Sequence, residues 1–340
     1  MSDMDIEQIP ILFCPERKLV GVITTPASST GAPIACLMLN MGANHRGGPH
    51  RINVKLAHRL ATMGITSLRM DLSGLGDSGP ARTDLGYHAQ CVLDLQAGMD
   101  LLRTTHGIQR FVVVGLCSGA AHALNLSVAD PRVTGILLFD GYSFAGRRWH
   151  WERSLRRALA APTNPAVVGK TLRWLRRTFT NAAPVAGDAP AVNIFTLEKE
   201  TPAEVRATFS RSMATLVERG VSVYLLYSGT QHVRDVDRDH LGTLVREPFA
   251  DKLRYEFSRD IDHTMTSLAA QSAFLTCASN WALGVALPGA AAGATSASGA
   301  GPAAAPEEET PSAWGALAPA KPGGSRRSRR ENNGFIETVY

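Results

Sequence analysis

The sequence contains no apolar run of about eighteen residues, the length that a membrane-spanning helix needs, so no membrane span is expected. Its first ten residues, MSDMDIEQIP, have neither the basic start nor the apolar core of a signal peptide, and a cytoplasmic location is expected. Cysteine is scarce. The five residues Cys14, Cys36, Cys91, Cys117 and Cys277 are odd in number and form no C-x-x-C pair, which argues against a disulfide framework and a zinc site. Reduced thiols are expected, and no metal or cofactor. Internal repeats are lacking. The glycine run DLSGLGDSG at 71–79 follows a strand pattern but lacks the G-x-G-x-x-G spacing with an acid about twenty residues on, so it reads as a turn and not as a nucleotide site. Basic residues occur without aromatic stacking modules, and no specific nucleic-acid binding is expected.

What is present is an ordinary soluble balance, 44% hydrophobic and 19% charged over 340 residues, long enough to bury a large core. From residue 289 onward the chain becomes rich in Ala, Gly, Pro and Ser. Such a segment buries too little surface to offset its chain entropy, so 289–340 is expected to be a disordered tail, with a basic cluster at Arg326, Arg327, Arg329 and Arg330. Before it, short β-branched runs such as IACLMLN, ITSLRMDL, RFVVVGL, VTGILLFD and VSVYLLYS alternate with amphipathic helical stretches such as YHAQCVLDLQAGMDLLRTTHG. Strand followed by helix, repeated, implies an α/β fold with a mostly parallel sheet and helices on both faces. Ligands collect at the carboxyl ends of the strands in such sheets. The alternation breaks after VTGILLFD, where an Arg-rich, Pro-punctuated interval is too long for an ordinary connection. A helical cap over 142–220 is therefore expected, inserted into a core formed by 1–141 and 221–288.

The stretch VVVGLCSGAAHAL, 112–124, is a buried strand running into a glycine turn and a small-residue helix. Gly115 and Gly119 flank Cys117 symmetrically in the pattern G-x-nucleophile-x-G, which suits a sharp strand-to-helix elbow. Centring on Ser118 instead would place Leu116 at a position that needs a small residue. Cys117 is therefore the candidate nucleophile and Ser118 the alternate, with the backbone N–H of Ser118 facing an oxyanion. Taken as structure alone, the same residues are a glycine corner packing a helix on a strand.

A thiol becomes a nucleophile when a helix N-terminus and an imidazole lower its pKa. His263, in IDHTMTSLAAQ, follows the last strand pattern and precedes the last helix, which fits a catalytic base. His122, one turn into the helix after the elbow, fits a structural role, and His45 and His50 belong to the loop after IACLMLN. The third member is open between Asp140, which ends VTGILLFD, and the turn after VSVYLLYSG, where Asp235, Asp237 and Asp239 stand; Asp140 is favoured because that turn begins without a carboxylate. A second oxyanion donor should come from LNMGANHRGGPHR, at Gly42 or Met41.

Together these residues resemble the α/β-hydrolase superfamily, and more closely its serine-aminopeptidase-like and exosortase-system-associated branches. The resemblance rests on the GP-x-R loop, the run LAHRLATMGITSLRMDLSGLGDSG, the elbow GLCSG and the late DHT, in that order, and covers about residues 10–287. Asn40-Met41 stands where the family usually has His-Gly, and His232 where the turn after VSVYLLYSG usually has aspartate. Cysteine in the elbow is similar to dienelactone hydrolase. The resemblance implies acyl transfer to Cys117 from an ester, lactone or thioester, by a hydrolase or by an acyltransferase or thioesterase acting on acyl groups bound to a carrier protein or coenzyme A. The stretch 147–177 carries Arg and Lys throughout against Glu152 alone, which favours an acidic acyl carrier or a CoA thioester as partner, or is simply a solvated helical face. A different class remains open, a hydrolase-like binding or scaffold protein that keeps the elbow only as architecture.

Overall fold

In a computed structural model, the structure describes residues 6–26, 32–80, 85–144, 201–229 and 238–287. Their strands are β1 (Glu7–Phe13), β2 (Leu19–Thr25), β3 (Ile34–Met38), β4 (Thr66–Met70), β5 (Arg110–Leu116), β6 (Val133–Phe139), β7 (Ser222–Ser228) and β8 (Arg254–Ser258). They form one sheet in the order β1-β2-β4-β3-β5-β6-β7-β8. All pairs from β4 through β8 are parallel, and only β1 with β2 and β2 with β4 are antiparallel. The expected α/β-hydrolase architecture, a mostly parallel sheet with helices on both faces, is the fold of this chain. The strand β1 is the element that the hydrophobic pattern does not reveal: EQIPILF carries Pro10 and leaves alternate residues exposed, as suits an edge strand whose proline need not donate to a neighbour.

The helices are α1 (Ile52–Thr62), α2 (Tyr87–His106), α3 (Gly119–Ala129), α4 (Pro202–Glu218) and α5 (Leu268–Ala286). Strands β3, β4 and β5 are buried on both faces, which explains their continuous apolar runs. Alternate side chains enter two separate cores. Leu37, Leu68, Val113 and Leu138 pack with α2, α3 and α4 on one face, and Met38, Val114, Leu137 and Phe139 pack with α1 and α5 on the other. Each such side chain, fully buried, contributes about 1.5–3 kcal/mol relative to exposure.

Helix α4 begins at a capping box, in which the Thr201 hydroxyl accepts the Glu204 N–H and the Glu204 carboxylate accepts the Thr201 N–H. Its Phe209, Met213 and Leu216 enter the same core as α2 and α3. Of the interval expected as a cap, 142–220, residues 145–200 and with them the basic stretch lie outside the described residues, as does the tail 289–340. No helix among the described residues is long and apolar enough to cross a membrane.

Candidate active site

The site is built where three neighbouring parallel strands end. Beyond β5 the ladder continues for one bond, Cys117 N–H to Phe139 O at 2.8 Å, and beyond β6 for one more, Asp140 N–H to Leu226 O at 3.1 Å. Both residues then take left-handed backbone, φ 52° at Cys117 and 49° at Asp140. For a residue with a Cβ this conformation costs on the order of 1–3 kcal/mol and persists where the surroundings enforce it. Ser118, by contrast, has an ordinary helical φ of −59° and caps α3. The strained residue of the elbow is thus Cys117, the one that the glycine spacing centres on.

The two glycines are required by contact. A Cβ on Gly115 would lie 2.6 Å from Gly119 O and 2.7 Å from Ala120 Cα, and one on Gly119 would lie 2.7 Å from Asn40 O. These neighbours are backbone and cannot rotate away. Gly115→Ala is expected to lower stability by about 1–3 kcal/mol through overpacking, read as a fall in the urea midpoint at unchanged slope.

Asp140 and His263 meet although 123 residues separate them, with His263 Nδ1 and Asp140 Oδ2 2.8 Å apart. The carboxylate is almost fully buried, its side chain 1% exposed, and its other oxygen accepts the Ser228 N–H at 2.8 Å. The imidazole lies nearly parallel to the Phe139 ring, centroids 6.3 Å apart. The loop that carries it is fixed at both ends. Gly229 donates to Ile261 O at 2.9 Å, and the Asp262 carboxylate accepts the N–H groups of Thr264 and Thr266. The hydrogen bond to Asp140, then that to Cys117, push the His263 pKa up to about 10 against the effect of burial. Cys117 itself is half-buried. Cys36 and Cys91 are inert by comparison, since burial pushes both thiols up to about 12.

The loop after β3 is held against the elbow by residues that the sequence pattern does not single out. The Gly42 N–H donates to the Ser118 hydroxyl at 2.8 Å, so that hydroxyl is engaged with the loop, and Met41 is buried beside it. Asn40, at the position of the usual histidine, donates to Asp71 at 2.8 Å and accepts the Leu72 N–H at 2.8 Å. Asp71 is fully buried and also accepts the backbone and guanidinium of Arg46 at 2.6 and 2.5 Å. The glycine run after β4 is therefore a turn folded around Asp71: Gly76 has φ 51°, and a Cβ there would lie 2.3 Å from the Asp71 carboxylate. A buried Asn-Asp pair between two loops has no periodic signature. Only an acid just after an apolar strand hints at it.

His122 is buried against the rings of Tyr87 and His88, and burial lowers its pKa to about 4, which keeps it neutral. His45 and His50 are exposed on the loop after β3. Asp239 begins a short 3-10 turn, and Asp235 and Asp237 lie outside the described residues. Among the described residues no group of His, Cys, Asp and Glu is disposed to hold a metal ion.

Comparison with known proteins bears on the family and the fold. A family model described as serine aminopeptidase, S33, matches residues 43–236. Among solved structures, an esterase from Pyrococcus furiosus is similar over 82% of this chain and 90% of its own, at 14% identity and a TM-score of 0.51. A loop variant of a haloalkane dehalogenase from Bradyrhizobium elkanii is similar over 85% of this chain and all of its own, at 16% identity and a TM-score of 0.50. No curated protein matches the sequence.

Proposed function

We propose that this chain, which belongs to the serine aminopeptidase S33 family of hydrolases, cleaves an ester, lactone or thioester through a covalent acyl-enzyme on Cys117. The observation that carries the reading is the strained Cys117 at the strand end beside a His263 that Asp140 holds at 2.8 Å. His263, whose protonated form the Asp140 carboxylate stabilises, takes the Cys117 proton, and the sulfur attacks as thiolate. Attack on the carbonyl carbon forms the S–C bond and moves charge onto the carbonyl oxygen, which the N–H groups of Ser118 and Met41 receive, the Gly42 N–H being engaged by the Ser118 hydroxyl. Collapse breaks the bond to the leaving group, which takes the proton from His263. Neutral His263 then accepts a proton from water as the water attacks the acyl-enzyme, and expulsion of the Cys117 thiolate restores the starting pair. Asp140 stays ionised throughout and keeps Nδ1 protonated.

Intact-protein mass spectrometry with a short aryl ester and a short acyl thioester tests this on wild type, Cys117→Ala, Ser118→Ala and His263→Ala. The adduct is expected to vanish only in Cys117→Ala and to form more slowly in His263→Ala. An adduct that survives Cys117→Ala and disappears in Ser118→Ala would overturn the assignment of the nucleophile, and no adduct in any form would favour a non-catalytic scaffold.

The electrostatics give a signed expectation. Because the folded-state pKa of His263 is raised from 6.5 to about 10, the charged imidazole contributes stability that is fully present below about pH 6.5 and is lost as pH rises through about 10. In an NMR titration the His263 ring should deprotonate near 10 in wild type, and at lower pH in Cys117→Ala, where the hydrogen bond and charge of the sulfur are gone. An unchanged titration in the variant would mean that sulfur and imidazole do not interact.

The basic stretch 147–177 supports an acidic acyl carrier or a phosphate-bearing CoA thioester as the acyl donor. KM for a carrier-bound substrate should rise steeply with salt, while KM for an uncharged aryl ester stays flat. A salt-independent KM for both would remove the docking role.

A further inference from the structure

Away from the catalytic edge, β4 carries a buried cation that the mechanism does not use. Arg69 is 5% exposed, its Nε is buried without a partner, and it enters no ion pair among the described residues. Its Nη2 donates to Gln8 Oε1 on β1 at 2.8 Å. The acids of the adjoining loop are already engaged, since Asp71 and Asp77 accept Arg46 at 2.5 and 2.6 Å. Burial, and then the guanidinium groups of Arg46 and Arg51, lower the Arg69 pKa to about 10. Arg51 is exposed at the start of α1 and has a left-handed φ of 59°. A desolvated cation facing further cations is unfavourable until an anion joins it.

The sheet register shows what surrounds that charge. Gln8, Thr24 and Ser67 lie side by side across β1, β2 and β4, and Arg69 lies opposite Val22, two residues further along the same face. To reach Gln8 the guanidinium crosses β2 toward this row. The hydroxyls of Thr24 and Ser67 in the row are fully buried and have no partner. On the edge strand the same face remains open to solvent: Gln8 and Pro10 are exposed, and Leu12 is 67% exposed.

We propose that Arg69, with Gln8, forms a binding site for an oxyanion, a phosphate or carboxylate group, that enters over the open face of β1 beside Gln8, at the margin of the hydroxyl row of Thr24 and Ser67. The site lies on the α1 side of the sheet edge and is independent of the catalytic reading. The charge of Arg69 supplies the attraction, and the neutral donors around it complete the coordination that no side chain among the described residues provides.

The test is the thermal unfolding midpoint of the full chain, with inorganic phosphate or hexanoate added at ionic strength held constant with sodium chloride, together with calorimetric titration of the same probes. In wild type and in Cys117→Ala, one equivalent should bind, and the midpoint should rise by about 5 °C or more at a hundredfold excess over Kd. In Arg69→Met the rise should vanish, while the ligand-free midpoint equals or exceeds that of wild type because an unpaired buried charge is gone. Gln8→Ala, a change at an exposed side chain that leaves the core intact, should weaken binding about tenfold, so that a fold lost in Arg69→Met would not hide the result. A response to phosphate alone assigns a phosphate-bearing ligand, and a response to hexanoate alone a carboxylate. No response beyond the chloride control, or a response in Arg69→Met and Gln8→Ala equal to that of wild type, overturns the site.

Discussion

Cys117→Ala should reduce turnover of a short acyl thioester by about 10⁵-fold or more, the order of loss seen when a hydrolase loses its nucleophile, with little change in stability. The side chain is half-buried at the margin of the core on the α1 and α5 side, so its truncation removes little packing and the folded state survives. Alanine also keeps a Cβ at the left-handed φ of 52°, so the backbone strain is retained and only the sulfur is removed. Cys117→Ser is the sharper companion. A serine hydroxyl ionises far less readily than a thiol, and without a thiolate beside it His263 loses one of the two partners that raise its pKa. Turnover should therefore stay low in Cys117→Ser even though the geometry is kept. Near-normal rates in either variant, measured in steady state with a thiol-release assay, would rule out sulfur as the attacking atom.

Asp140→Asn should lower kcat by about 10³–10⁴-fold with a small change in KM. The buried carboxylate has two engagements, the Ser228 N–H on one oxygen and His263 Nδ1 on the other. An asparagine that keeps its carbonyl oxygen for Ser228 presents its NH2 to Nδ1. That forces the imidazole proton onto Nε2, the atom that must exchange protons with Cys117, the leaving group and water. The hydrogen bond that contributes most to raising the His263 pKa is lost as well, so the ring should titrate well below 10 in this variant. Single-turnover measurement of acylation and the NMR titration of His263 read the two effects separately. A kcat left intact in Asp140→Asn but lost in Asp235→Asn would transfer the orienting role to the turn after β7.

The cluster of Cys117, Asp140 and His263 depends on one architectural fact: parallel strands end together. Because β5, β6 and β7 are neighbours in parallel register, Cys117 and Asp140, each just past its strand end, lie side by side, with Asp140 opposite Tyr227 of β7. Glycines at 115 and 119 let α3 approach β5 closely enough for the Asn40 carbonyl to sit over Gly119. The loop that bears Asn40 is in turn clamped by Asp71 and Arg46, and Arg69 enters no ion pair among the described residues.

The sequence by itself determined the features that depend on neighbours along the chain. The apolar runs of β3 to β7 mark a sheet buried on both faces, the glycines four apart mark the elbow and centre it on Cys117, and the DHT between a strand and a helix marks the histidine loop. Each follows from sterics or periodicity within about ten residues. The tertiary structure alone decided what depends on strand order. Which acid meets His263 is settled by β6 lying between β5 and β7, a contact across 123 residues that no local pattern encodes. The edge strand β1 pairs despite its proline because an edge position leaves one side of the strand without a partner to satisfy. The engagement of Gly42 by Ser118, the Asn40-Asp71 clamp and the packing of α4 into the core arise in the same way, from segments that only the folded sheet brings together.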